Sequence, residues 1–539
     1  MAADIRILTL GTALMLTACA SPHALQVSAA PPAGAPAAAE IPDAAAPVPD
    51  TTLTLIESPD TALTTVAGQS GASSLWAALR ADFALPEQPD NARIRVQRDW
   101  YVKHPHYLER VSERAGRYAW YIHRQLQARG MPAEIALLPI VESAYDPFAY
   151  SHGRAAGLWQ FIPSTGKRFG LKQDWWYDGR RDIPDSTRAA LDYLEYLHER
   201  FDGDWLLALA AYNSGEGTVL SAQRYNRRKG RPTGFWDLKL PKETSAYVPK
   251  LIALGQLVER PAAFGVRLDP VPDRPAFHVV ETGGQIDLAV AAELAGIDLE
   301  TLYQLNPGFN QWATAPKGPH RLLVPAAATA TFRQAIAQLP TDERVQWNRV
   351  KIRPGETLSE IARRYRTTVE VLETANQLKG TSIRAGRHLM VPIASKDRKS
   401  YTLSAAQRLS RKQNHPRNGG YKTRHVVRNG DTLWDLSREY KVGVRSLASW
   451  NGMAPGDPLR VGQTLVVWSG QRSTGVQAGS RVRPVHYTVR RGDSLSRIAS
   501  RFNVSVTDLR RWNDLPKGKY LQPGQHIKLY VDVTRQTGA

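Results

Sequence analysis

The sequence predicts an α+β multidomain protein in which an all-helical domain is followed by small βααβ modules. Two patterns carry that prediction. From Leu75 to about Gly130, apolar and aromatic residues recur at three- and four-residue spacing, the period of a helix face, and further helical stretches follow to about residue 265. Beyond residue 270 a short segment repeats, with Gly355 to Asn376, Gly430 to Asn451 and Gly492 to Asn513 each separated by 21 residues. At 539 residues the chain is also too long for a single core.

Residues 1–19 read as a processed leader. Ile5 to Ala18 is largely apolar, too short for a membrane span and right for a secretory h-region, although Asp4 partly offsets Arg6 in the charged segment before it. The stretch ends Leu16-Thr17-Ala18-Cys19, which resembles the lipobox of bacterial lipoproteins. That resemblance implies removal of the leader and acylation of Cys19, and two or three acyl chains anchor stably where one does not. Ala20-Ser21, with no Asp beside the cysteine, resembles lipoproteins sorted to the periplasmic face of the outer membrane. Cys19 is the only cysteine, which excludes an intramolecular disulfide and a cysteine metal cluster. Residues 20–74 are mostly Ala, Pro, Thr and Ser, with too few large apolar side chains to fold, and read as a tether.

The helical domain is expected over 75–265. Trp100, Tyr101, Tyr107, Val111, Tyr118, Tyr121 and Ile122 mark its first helices. In the Met131–Gly166 stretch, Ile135, Leu137, Leu138, Ile140 and Val141 lead to one carboxylate, Glu142. Pro132 suits a helix start, and Pro139 predicts a kink or a break into two short pieces. A carboxyl at a helix C-terminus in apolar surroundings is driven toward its protonated form by burial and by the helix dipole. A further helix is expected from Asp185-Ser186 to Phe201, with Leu191, Leu194 and Leu197 on one face. Another follows Asp204 and stops at Asn213-Ser214-Gly215, and a last one holds Tyr247 to Leu257.

Five short motifs occur in order: Glu142-Ser143, Ser151, Gly157-Leu158-Trp159-Gln160, Pro163-Ser164-Thr165-Gly166 and Ala211-Tyr212-Asn213-Ser214-Gly215. Together they resemble the family 1 lytic transglycosylases, whose catalytic domain is goose-lysozyme-like. The resemblance implies a lysozyme-like catalytic domain with its core at about 130–225, cutting the MurNAc-β-1,4-GlcNAc bond of peptidoglycan without water. It implies Glu142 as the single acid/base, with the MurNAc C6 hydroxyl as internal nucleophile and a 1,6-anhydro-MurNAc end as product. A nucleophile already tethered to the reacting sugar needs no second carboxylate to activate water. Asp146, Asp178, Asp182 and Asp185 lie nearby in sequence, as partners of Glu142 or as surface charge and helix caps. The resemblance further places Ser143, Ser151, Gln160, Tyr212, Asn213, Glu243 and Tyr247 along the glycan cleft. Trp159 stands where many relatives carry Met. Trp175, Trp176 and Tyr177 are candidate sugar platforms, with core packing as their competing role.

The repeating units span 347–393, 424–468 and 485–531, and a worn copy spans 276–325. Each opens with a strand and a turn, Gly355-Glu356-Thr357-Leu358, Gly430-Asp431-Thr432-Leu433 or Gly492-Asp493-Ser494-Leu495, and closes on a short strand. This pattern resembles the LysM module, a small glycan-binding domain. It implies contacts from Thr357 and Asn376, from Asp431, Thr432 and Asn451, and from Asp493, Ser494 and Asn513, although the same residue types also make turns and helix caps. Glu356 replaces the usual Asp, and the worn copy lacks the Asp-Thr-Leu element.

The net charge of +20 points to an acidic polymer, a membrane surface or a cell wall as partner. Ten Lys and Arg stand against one Asp between Lys396 and Arg428, so much of the charge is expected in flexible linkers rather than in a nucleic-acid face. No metal-ligand spacing, Walker A loop or GxGxxG fingerprint is present, so no cofactor or metal is expected. The reading is a lipid-anchored enzyme, expected to be monomeric, with peptidoglycan as partner and no nucleic acid. Its rivals are a hydrolytic muramidase on the same fold, a non-catalytic wall-binding scaffold and a nucleic-acid binder.

Overall fold

The computed structural model describes residues 74–89, 91–417, 420–469, 482–490, 492–502, 504–513, 515, 521–522 and 524–532. The leader, Cys19 and all of the tether but its last residue lie outside them. The helical part runs Leu75–Ala81, Ala92–Val102, Pro105–Ala115, Ala119–Ala128, Ala133–Leu137, Leu138–Ser143, Pro163–Arg168, Ile183–Arg200, Trp205–Ser214, Glu216–Arg228 and Lys242–Glu259. Among the described residues, no helix is long and apolar enough to cross a membrane.

Two helices sit at the middle. Trp205–Ser214 is apolar on every side, with Leu206 to Ala211 buried, so it can only lie inside the bundle. The Asp204 carboxylate caps it by accepting from the Leu206 and Leu207 N–H groups. Lys242–Glu259 packs against it, against Ala92–Val102 and against the short helix that carries Glu142. Ile183–Arg200 begins two residues before the expected start. Asp182, not Asp185, is its cap, accepting from the Asp185 N–H, and Pro184 fits the first turn because its missing N–H has no partner to lose there.

Pro139 breaks the run before Glu142 in two. Ala133–Leu137 is a 3-10 turn and Leu138–Ser143 an α-helix with the proline in its first turn. Ile135, Leu137, Leu138 and Ile140 from both pieces are buried in the main core. Truncating one such side chain to Ala costs about 2–5 kcal/mol.

Four modules follow, each with two short helices between the strands of an antiparallel pair. The pairs are Phe277–Glu281 with Arg321–Pro325, Gln346–Lys351 with His388–Ile393, Tyr421–Val426 with Thr464–Ser469, and Val482–Thr488 with His526–Asp532. One device closes all four. In the second repeat, the Asn451 amide donates to the Leu447 and Val466 carbonyls and accepts from the Val466 N–H. Asn306, Asn376 and Asn513 make the same three bonds in their own modules. The side chain thereby staples the end of the second helix to the closing strand.

One expectation changes, and one open alternative is settled by packing. The cationic stretch after Lys396 is not loose chain: Arg398–Ser400 is a 3-10 turn and Ala405–Asn414 a helix. Its Arg408 lies 4.7 Å over the Phe148 ring, and Ala405 N–H donates to the Asn310 carbonyl. Trp176 and Tyr177 pack into the core of the first module, against Trp312 and Phe309 respectively, so of their two readings the packing role is the one the fold uses.

Asn451→Ala leaves two carbonyls and one N–H of the second repeat without partners, at a cost of about 2 kcal/mol. Amide hydrogen exchange at Val466 should quicken in the variant. A wild-type exchange rate there would show that the staple carries no stability.

Candidate active site

Glu142 stands in the last turn of Leu138–Ser143, and the chain leaves that turn through two left-handed residues, Ala144 at φ 51° and Tyr145 at φ 55°. L-residues adopt this conformation only when the surroundings enforce it. Tyr145 is enforced by burial and by its hydroxyl, which donates to the Ala136 carbonyl at 2.6 Å. The reversal folds the next segment back over the helix, and Ser143 fastens it there by donating to the Pro139 and Leu158 carbonyls at 3.1 and 3.0 Å.

The Glu142 side chain keeps some contact with solvent, but protein crowds its carboxyl. Tyr247, buried on Lys242–Glu259, donates a short hydrogen bond to Glu142 Oε1. Burial pushes the Glu142 carboxyl up to about 7; the Tyr247 bond and Lys250 pull it down, and the charge of Glu243 pushes it up. Glu243, Tyr247 and Lys250 recur at spacings of four and three, which puts all three on one face of their helix. Lys250 is absent from the sequence-derived site. The signal was that spacing, read onward from Tyr247.

None of the four nearby aspartates acts on Glu142. Asp178 is spent on Arg180 and Arg181, at 2.8 and 3.3 Å. Asp182 and Asp185 both hold Arg321 of the first module, each at 2.8 Å, and Asp146 accepts from the Phe148 N–H. The carboxylate whose field reaches Glu142 is the exposed Glu243.

The other cleft candidates take distinct places. Tyr212 donates to the Trp159 carbonyl at 2.8 Å, and burial, with the Glu142 charge next, pushes its phenol well above the usual range. Trp159 itself is fully buried with its indole N–H on Thr187, which makes it a core residue. Asn213 accepts from Thr244 at 2.8 Å and so ties Trp205–Ser214 to Lys242–Glu259. Gln160 sits at φ 48° with its amide donating to the Gly157 carbonyl. Gly157 has φ 82°, and a Cβ there would meet the Arg180 carbonyl at 2.0 Å, so only glycine fits. Ser151 heads a tight turn in which its Oγ accepts from the Gly153 and Ala155 N–H groups, leaving its own proton free to donate.

In the modules, every candidate side chain has an internal partner. Thr357 forms a capping box with Glu360, and Thr432 and Ser494 accept from the Asp435 and Arg497 N–H groups. Asp431 and Asp493 close their turns by accepting from the Arg428 and Arg490 N–H groups. Glu356 does the same work with the Arg353 N–H, so the Asp-to-Glu change leaves the turn intact. With Asn376, Asn451 and Asn513 committed to their staples, these residues shape the two loops rather than stand free between them.

Comparison with known proteins bears on the same regions. Residues 120–233 match the Transglycosylase SLT domain, residues 276–341 the Lytic transglycosylase MltD, LysM-like domain, and residues 350–392, 425–468 and 487–529 the LysM domain. The chain is 35% identical over 457 residues to membrane-bound lytic murein transglycosylase D of Escherichia coli strain K12, covering 85% of each. It is 45% identical over 150 residues to a putative tributyltin chloride resistance protein of Alteromonas sp., covering 28% of this chain and 72% of that one. Its similarity to an autolysin of Enterococcus faecalis is 32% over 196 residues, covering 35% of this chain and 25% of the autolysin. A helical domain built around Glu142, with LysM modules behind it and alignment through most of both chains, shows that this protein belongs to the family of membrane-bound lytic murein transglycosylase D.

Proposed function

We propose that this lytic transglycosylase uses Glu142 alone as acid and then base on the MurNAc-β-1,4-GlcNAc bond of peptidoglycan. The observation that carries the reading is a carboxyl held near pKa 7 by burial and aligned by Tyr247. Protonated Glu142 gives its proton to the glycosidic oxygen, which leaves on GlcNAc as a hydroxyl. Positive charge develops at C1 of MurNAc, and the carboxylate just formed takes the proton of the C6 hydroxyl as that oxygen attacks C1. One C–O bond breaks and one forms, no water enters, and Glu142 ends protonated for the next cycle. Along the cleft, Ser151, with a free hydroxyl proton, and Gln160 orient sugars, and Tyr212, Asn213 and Tyr247 fix the wall opposite. Ser143 contributes by holding the Gly157–Gln160 loop over the helix. Glu243, near enough for its charge to act on Glu142, is the observation that favours the hydrolytic rival.

The LysM repeats keep the enzyme on its polymer. Several weak sites on one strand raise the effective concentration of the next, so binding does not need one tight pocket. Lipidated Cys19 anchors the enzyme, as a monomer, at the periplasmic face of the outer membrane.

Product mass separates the readings. Wild type should release 1,6-anhydro ends, a hydrolase would release ends heavier by one water, and Glu142→Gln should lose at least about a thousandfold in rate while still binding the glycan. A Glu142→Gln enzyme of normal rate would overturn Glu142 as the acid and base.

The proton of Glu142 also sets the pH response. kcat/KM should fall as pH rises through about 7, where the acid form is lost. Tyr247→Phe removes a bond that favours the charged form, so that limb should move to higher pH. Because the folded carboxyl is raised, the unfolded chain loses its proton first. Stability therefore falls as pH climbs from the ordinary glutamate range to about 7, and Glu142→Gln should gain on wild type above that. Thermal unfolding at pH 5 and 8 reads the difference.

Cys19→Ala should move the enzyme from the membrane fraction to the soluble one, and retention in the membrane would refute anchoring at that residue.

A further inference from the structure

The second LysM repeat is latched to the catalytic domain at the turn that carries Ser151. Asp457, in the loop after its second helix, pairs with Arg154 Nε at 2.5 Å and accepts from the Tyr150 hydroxyl at 3.3 Å. Arg154 also donates to the Gly456 carbonyl, and Asp457 is braced from behind by the Ala454 N–H at 2.7 Å. Tyr150 and Arg154 flank Ser151 in one turn, where the Arg154 N–H donates to the Ser151 carbonyl at 3.1 Å. Arg154 sits at φ 68°, a conformation that an arginine keeps only when something holds it. Arg180 holds its carbonyl at 2.8 Å, and Asp457 holds its side chain.

The helix Ala405–Asn414 braces the latch. On one side its Arg408 covers Phe148, in the segment between Glu142 and Ser151. On the other, Gln413 donates to Asn451 at 3.0 Å, and Leu409 and Lys412 lie against Gly452. The first repeat supplies an internal control. There Lys379 and Ser382, the counterparts of Ala454 and Asp457 by distance from the staple asparagine, are exposed, whereas Ala454 is 1% exposed. The same loop is open in one repeat and covered in the next.

We infer that the second repeat is a fixed wall of the catalytic cleft, and that Arg154 and Asp457 are positioning residues that hold the Ser151 turn for the sugar. Its second loop is occupied by this contact, so glycan capture away from the cleft belongs to the repeats whose loop is open, as in the first. The inference rests on the reading of Ser151 as a sugar-orienting residue, and the test separates the two.

Steady-state kinetics on polymeric peptidoglycan should be compared for wild type, Ser151→Ala, Arg154→Ala, Asp457→Ala and the charge-exchanged pair Arg154→Asp with Asp457→Arg. Each single latch variant should lower kcat/KM about threefold to fivefold, mainly through KM, the scale of a part-exposed ion pair. The exchanged pair should recover most of that loss, which a merely structural defect would not. Melting temperatures identify a variant that fails to fold, and the exchanged pair still decides the matter because it restores the contact by another route. Wild-type kinetics in both single variants, or an exchanged pair no better than they are, overturns the latch. A silent Ser151→Ala beside active latch variants overturns the sugar-orienting reading, and with it the stated purpose of the turn.

Discussion

A carboxylic acid keeps its proton near neutral pH only where the protein withholds water from the charged form and supplies no strong counter-ion, and the helical domain is arranged around meeting that demand at Glu142. The break at Pro139 lets the run before it bury apolar side chains from two short pieces, and the left-handed exit at Ala144 and Tyr145 brings the following segment back over the acid. The long Lys242–Glu259 helix supplies the opposite side, and its Tyr247 aims the carboxyl. Burial raises the pKa, while Tyr247 and Lys250 keep it from rising further. The value near 7 is a balance between opposed effects, the condition a group needs if it is to give a proton and take one back in a single turnover.

The same economy governs the nearby charges. A second free carboxylate at the acid would favour activation of water, and the aspartates closest in sequence are each bound to something else. Asp178 is locked to two arginines, and Asp182 and Asp185 to Arg321, which also joins the helical domain to the first module. Two of the charges that could disturb the acid instead hold domains together. Two of the modules have little freedom of their own: the worn copy shares its core with Trp176 and Tyr177, and the second repeat touches the Ser151 turn.

Much of this was legible in the chain because it is written locally. The acid after an apolar run, the proline inside that run, the Asp204 cap and the 21-residue repeat each occupy a short window whose physics does not depend on distant residues. What escaped depends on distance. Arg154 and Asp457 are 303 positions apart (457 − 154), and neither carries a mark in its own neighbourhood. The helix Ala405–Asn414 was hidden by composition, since its cations resemble a solvated linker until Phe148 and the second repeat are packed against it. The asparagines show the converse. Their spacing was plain, but whether an amide reaches out to a sugar or back to a strand is decided by partners 14 to 17 residues away.

That inward turn of the asparagine has an evolutionary corollary. A unit of about 45 residues whose closure depends on one of its own side chains brings its fastening with it when it is copied. Such a cassette can be duplicated or allowed to drift without losing its own closure, because that fastening is not borrowed from its neighbours. The worn first copy illustrates the point: it has lost the Asp-Thr-Leu turn and joined its core to the enzyme, yet Asn306 still closes it. The number of repeats beyond the one that meets the Ser151 turn is thus free to change while the enzyme ahead of them stays the same.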